Sequence, residues 1–218
     1  MMLSRVAETL YWMARYLERA EHTARLLEQA LHVATDSDAD GAGAEAQWRS
    51  LLSSLGCDAS GPMTPDAMTR WLTFDTDNPL SVARCMTQAR ENASQAREQL
   101  SSEMFEQINR LYLSVRDADP APTDGAEPYD LLRAVQLGAQ TFQGVTDATM
   151  SHGEDWCFIQ VGRNIERAEC TARLLDVHLG QGASSTGAAF EAREYLLWVM
   201  LLRSCLAFEP YTKHYGPE

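Results

Sequence analysis

Apolar residues recur at helical spacing almost from the first position of this chain. Counted from Leu3 at about 100° per residue, Val6, Leu10, Met13, Leu17 and Ala24 share one stripe, with Leu3 at its edge. The pattern predicts a long helix over 3–34. The run from Asp36 to Gly43 is rich in Asp and Gly and predicts a loop. Trp48, Leu51, Leu52 and Leu55 then mark a short helix near 45–55, ended by Gly56. Thr64-Pro65 is a cap followed by a first-turn proline and opens a helix of about ten residues. Asn78-Pro79 carries the same signal, and the helix it predicts runs to about Leu100. Further helices are expected over 103–117, from Pro128 to Met150 and over 189–207. Ser151-His152-Gly153-Glu154 reads as a capping box for a helix reaching Leu179. The loops between them fall at 119–125 and 180–185, where turn formers collect. No segment alternates like a strand. The fold class is all-α, and consecutive long helices on moderate loops pack as an antiparallel bundle.

A duplication lies inside this pattern. Residues 15–27 recur at 163–175 without a gap, and ten of the thirteen positions are identical. On the helical count Glu21 falls at the edge of the apolar stripe, with Arg25 one turn further on and Glu18 on the same side. Arg15 and Arg19 point toward the rim. The second copy is expected in the same phase, with Glu169 facing the core border beside Ile165 and Ala172, and Arg173 next to it. A buried carboxylate without a partner is very costly. Each inward Glu therefore needs a guanidinium, and the Arg four residues on is the nearest. Between the copies, Ala89-Arg90-Glu91-Asn92-Ala93 mixes small and charged residues on another long helix. The expectation is a polar layer shared by three helices: Arg15, Glu18, Arg19, Glu21 and Arg25; Arg90, Glu91 and Asn92; Arg163, Glu166, Arg167, Glu169 and Arg173. Such a layer either fixes helix register or lines a pocket or partner surface.

Composition narrows the function classes. The 218 residues are 45% hydrophobic and 22% charged, an ordinary globular balance, and the formal charge is −13. That charge disfavours nucleic acid and anionic membrane surfaces. No secretory leader opens the chain, and the run Leu196–Leu202 is too short to span a bilayer, so the reading is cytoplasmic. Five cysteines with no Cys-x-x-Cys spacing suggest reduced thiols used in packing, among them Cys157 and Cys170. Glu18-x-x-Glu21 and Glu166-x-x-Glu169 put paired carboxylates on two helices. The di-iron pattern needs His where Ala24 and Ala172 stand, and four arginines crowd the same place. Neither a metal nor a cofactor is expected, and no nucleophile elbow, phosphate loop or dinucleotide fingerprint occurs.

Leu3-Ser4-Arg5-Val6-Ala7-Glu8, Tyr11-Trp12 and Arg15–Glu21 resemble the opening of the bacterial alpha-E domain family. Ala89–Ala93, Gly162-Arg163 with Glu166-Arg167-Ala168, and Leu201–Ser204 with Phe208-Glu209 and Tyr211 resemble its later motifs. The resemblance implies one all-helical cytoplasmic domain over 1–218, short of the C-terminal part usual in the family. A chain ending there leaves apolar surface uncovered, which favours self-association. Family members sit beside circularly permuted ATP-grasp proteins and transglutaminase-like peptidases. This implies a protein partner of one of those kinds and a non-catalytic role in a peptide-modification system. The alternative is an enzyme acting on a peptide or amide through a Glu of the polar layer.

Overall fold

The computed structural model describes residues 3–36, 41–57, 63–118, 129–180 and 188–216. Among them the chain forms α1 (Ser4–Asp36), α2 (Gly41–Leu55), α3 (Pro65–Thr73), α4 (Val82–Gln95), α5 (Ser102–Arg116), α6 (Tyr129–Thr149), α7 (Glu154–Gly180), α8 (Ala188–Ser204) and α9 (Phe208–Tyr215). The fold is all-α, as the 3.6-residue period requires. Thr64 caps α3, its hydroxyl accepting from the Ala67 N–H. Ser101 does the same for α5 through Met104.

Several boundaries differ from the sequence reading, each for a local reason. Asn78-Pro79 opens a turn rather than a helix. The Asn78 carboxamide accepts from Leu80 N–H and donates to the Trp71 carbonyl, and Ser81 becomes the cap of α4. Helix α4 stops at Gln95, and a 3-10 turn over Arg97–Gln99 replaces its expected last turn. Gly153 displaces Ser151 at the start of α7, its carbonyl taking the first helical hydrogen bond from Cys157. Helix α2 begins at Gly41, inside the expected loop; 37–40 and the expected starting Pro128 lie outside the described residues. A separate short helix, α9, follows α8. Between them Leu206 sits at φ 56°, in the left-handed region, as Ala207 N–H bonds back to Leu202.

Helix α1 is the mast of the bundle. Helices α2, α3, α4, α6, α7 and α8 all pack on it. Leu10, Met13, Leu17, Ala20, Ala24 and Leu27 are buried along it. Each fully buried Leu or Met contributes on the order of 1.5–3 kcal/mol, so this one helix anchors the core. Small residues set the close approaches. Ala89 and Ala93 are fully buried where α4 meets α1. Gly162 lets α7 lie so near that an added Cβ would collide with the Tyr11 carbonyl oxygen. No described helix is long and apolar enough to cross a membrane.

Candidate functional site

The duplicated segments meet where α7 crosses α1, and they pair across the crossing rather than along each helix alone. Arg167 Nε donates to Glu18 Oε1 at 2.6 Å. The equivalent pair mirrors it: Arg19 Nε donates to Glu166 Oε1 at 2.6 Å, and its Nη2 to Oε2 at 3.0 Å. The Glu-Arg dipeptide of each copy thus binds the same dipeptide of the other. Glu18 and Glu166 are 2% and 3% exposed. Arg15 adds a second guanidinium, its Nε donating to Glu166 at 2.5 Å and its Nη2 to Glu169. It is held in place by the Tyr11 hydroxyl at 2.8 Å and lies over the Trp12 ring. Tyr11 and Arg15 stand one helical turn apart, and that spacing alone does not reveal that the phenol holds a guanidinium shared with α7.

The pairing four residues along the helix also exists, with a different job. Arg25 Nη1 donates to Glu21 Oε1 at 2.7 Å, and its Nε donates to the carbonyl of Ser204, the last residue of α8, at 2.9 Å. Arg173 binds Glu169 and donates through Nη1 to the carbonyl of Leu55, the last residue of α2, at 3.1 Å. In both copies the Glu orients an Arg that satisfies an orphan carbonyl at a helix C-terminus.

Two expectations need correction. The layer is built by two helices. Helix α4 turns Cys85, Met86, Ala89 and Ala93 inward, so Arg90 reaches α5 instead, donating to Asn109 at 2.9 Å and stacking on Tyr112. Glu91 accepts from Gln88, and Asn92 donates to the Gln88 carbonyl. The second copy is also not in the expected phase. Glu166, not Glu169, is the buried carboxylate of α7, the Glu169 side chain is 38% exposed, and Ile165 and Ala172 face outward. Helix α7 is peripheral and buries only Ile159, Gly162, Glu166, Cys170 and Leu174. Helix α1 is surrounded and buries both Glu18 and Glu21. Arg163, the counterpart of Arg15, makes no equivalent bond, and its Nε is buried without a partner among the described residues.

The electrostatics follow from burial. Desolvation holds the Glu18 carboxyl above the usual carboxylate range, and the nearby Glu21 pushes the same way against Arg167. Glu21 is fully buried; among the described residues its Oε2 has no hydrogen bond, and it lies 3.7 Å from Arg167 Nη2. Gln140 and Gln143 of α6 approach Glu21 and Glu18 at 3.5 Å each. Burial, then the charges of Arg25, Arg167 and Arg173, lower His22 to about 3, so it is neutral at pH 7. Burial pushes Cys85 and Cys170 up to about 12, which keeps both thiols protonated. None of the five cysteines is in a disulfide, and Cys157 is exposed rather than packed. Beside Glu18 a recess opens between α1, α6 and α7, lined by Gln143, Thr146, Gln160 and Arg163 above Leu17, Phe142 and Ile159. No three His, Cys, Asp or Glu side chains converge among the described residues as a metal would require.

The chain is similar to uncharacterized protein Rv2567 of Mycobacterium tuberculosis, 28% identical over 195 residues, covering 80% of this chain and 22% of that protein. Uncharacterized protein Mb2597 of Mycobacterium bovis matches with the same identity and coverage. The match thus takes in only about a fifth of the length of these curated relatives. No solved structure matches. The family described as a predicted alpha-helical domain with a conserved ER motif matches residues 2–218. In this chain that dipeptide occurs twice, as Glu18-Arg19 and Glu166-Arg167, the four residues that bind one another at the crossing. The chain belongs to the Alpha-E family.

Proposed function

We propose that this chain is a non-catalytic helical partner protein in a cytoplasmic peptide-modification system, working beside an ATP-grasp amide ligase or a transglutaminase-like protein. One observation carries the non-catalytic part. The carboxylates of the duplicated motif, and its guanidiniums other than that of Arg163, are occupied with each other and with helix ends, so they serve to hold α1, α2, α7 and α8 together. A group closed into an ion pair that also caps a helix is poorly placed to shuttle protons to a substrate. The association with ligase or transglutaminase-like proteins comes from the family's resemblance. Affinity capture of the full chain from native extract tests it. Recovery of an ATP-grasp or transglutaminase-like protein is expected. Turnover of peptide or nucleotide by the purified chain alone would overturn the proposal.

A second reading has its own observation. Glu18 combines a raised carboxyl pKa with a place on the wall of the recess that Arg163 and Gln143 also line. An enzyme acting on a peptide or amide would use Glu18 as its acid or base there. Loss of such turnover in Glu18→Gln, with folding retained, would select this reading.

A further inference from the structure

Helix α7 carries two apolar faces, and only one of them is covered by the described residues. Opposite the residues packed on α1, Phe158, Val161, Ile165, Leu175 and Leu179 are 38–64% exposed. Ala168 and Ala172 fill the gaps between them and are exposed too. The spacing of the seven positions alternates three and four residues through three heptads, the signature of a coiled-coil seam rather than of scattered surface residues. At 1.5 Å per residue the stripe is about 32 Å long. An apolar stripe of that length left in water is an association surface.

We infer that this stripe is the interface of a homodimer, in which α7 of one copy packs antiparallel on α7 of another. The seam fits itself. In an antiparallel two-fold arrangement, Ile165 lies against Ala168 and Val161 against Ala172, so large side chains meet small ones and the helices stay evenly spaced. Phe158 and Leu175 close each end. A parallel pairing would set Ala168 on Ala168 and Ala172 on Ala172, leaving a waist between the bulky ends. The middle of the seam does not oppose the contact. Cys157, Asn164 and Thr171 on one edge are uncharged; on the other, Glu169 is already neutralised by Arg15 and Arg173, and Asp155 and Asp176 lie near the two ends. The −13 charge of each copy acts at long range and is screened by salt, so the dimer tightens as ionic strength rises. A basic partner helix on the same seam would weaken instead.

Sedimentation equilibrium of the full chain tests this, with the paired variants Val161→Glu and Ile165→Glu. The wild type is expected to dimerise at tens of micromolar, and each variant to be monomeric with unchanged helicity, since both side chains point away from the bundle. A wild type that stays monomeric at about 100 µM, a dimer unaffected by either variant, or a dimer that loosens as salt is raised would overturn the proposal. Orientation has its own measurement, in a Cys157→Ser background. Mild oxidation is expected to link V161C chains to A172C chains in a mixture and to leave V161C chains alone unlinked. The reverse result would overturn the antiparallel arrangement.

Discussion

Arg25 and Arg173, equivalent residues of the two copies, each reach the final carbonyl of another helix, Ser204 of α8 and Leu55 of α2. The repeat therefore duplicates a mechanical unit as well as a sequence. One Glu-Arg pair locks the two long helices, and the next Glu aims an Arg at the end of a third.

The two clamps differ in depth, and their removal should differ accordingly. Arg25 is buried and neutralises a fully buried Glu21, whereas the Arg173 side chain is 43% exposed. Arg25→Met is expected to cost about 3–5 kcal/mol, the range for breaking a buried pair, and Arg173→Met about 1 kcal/mol or less. Urea denaturation of the two variants measures both. Equal losses would mean that the pairs are equally solvated.

Glu18 and Arg167 should behave as a coupled pair. A double-mutant cycle with Glu18→Gln and Arg167→Met is expected to give an interaction energy of about 1–3 kcal/mol. The mirrored cycle on Arg19 and Glu166 should fall in the same range, because each contact centres on an Nε–Oε1 bond of 2.6 Å. Additive losses in either cycle would mean that the crossed contact contributes nothing beyond its separate groups.

His22 sets an acid limit on stability. Its folded pKa is lowered to about 3 from an ordinary value of 6.5. The unfolded chain takes up a proton between those values and the folded chain does not. The stability His22 contributes is therefore complete above pH 6.5 and is lost as pH falls toward 3. His22→Gln should flatten the pH dependence in that window by at most about 1.4 kcal/mol per pH unit. Thermal melts of both proteins between pH 4 and 7 would show it; identical slopes would mean that His22 titrates alike in both states.

Gly162 governs the approach of α7 to α1. Gly162→Ala places a methyl group against the Tyr11 carbonyl and should cost about 1–3 kcal/mol. The expected accompaniment is a weaker Glu18–Arg167 coupling in the cycle above. A full coupling energy on the alanine background would show that the helices tolerate the added carbon.

The legibility of the site divides along the same physical line. Helical periodicity exposed the fold class, residue identity at a fixed offset exposed the duplication, and the cost of a lone buried charge pointed to Glu21 and its guanidinium. Periodicity also reports that an apolar stripe exists without saying which neighbour covers it. Helix α7 has two stripes, so the phase transferred from α1 put Ile165 and Ala172 inward when both are exposed. The partners of Glu166 are Arg15 and Arg19, 151 and 147 residues away, and no local spacing announces them. Arg90 misled because charge beside alanines looks the same on a face turned to α5 as on one turned to α1. Helix α9 was missed because nothing in the sequence before it signals the left-handed turn at Leu206.

The central place of α1 constrains how this protein is made. Helix α1 leaves the ribosome carrying Glu18, whose neutralising partner Arg167 is encoded nearly 150 residues later. At about 5–20 residues per second of synthesis, α1 waits on the order of ten seconds before α7 can dock. Until then its interior side chains stay wet and its carboxylates stay hydrated. Locking is thereby postponed to a late, long-range step, and truncated products that lack α7 are left with an unsealed hub that quality-control proteases can recognise.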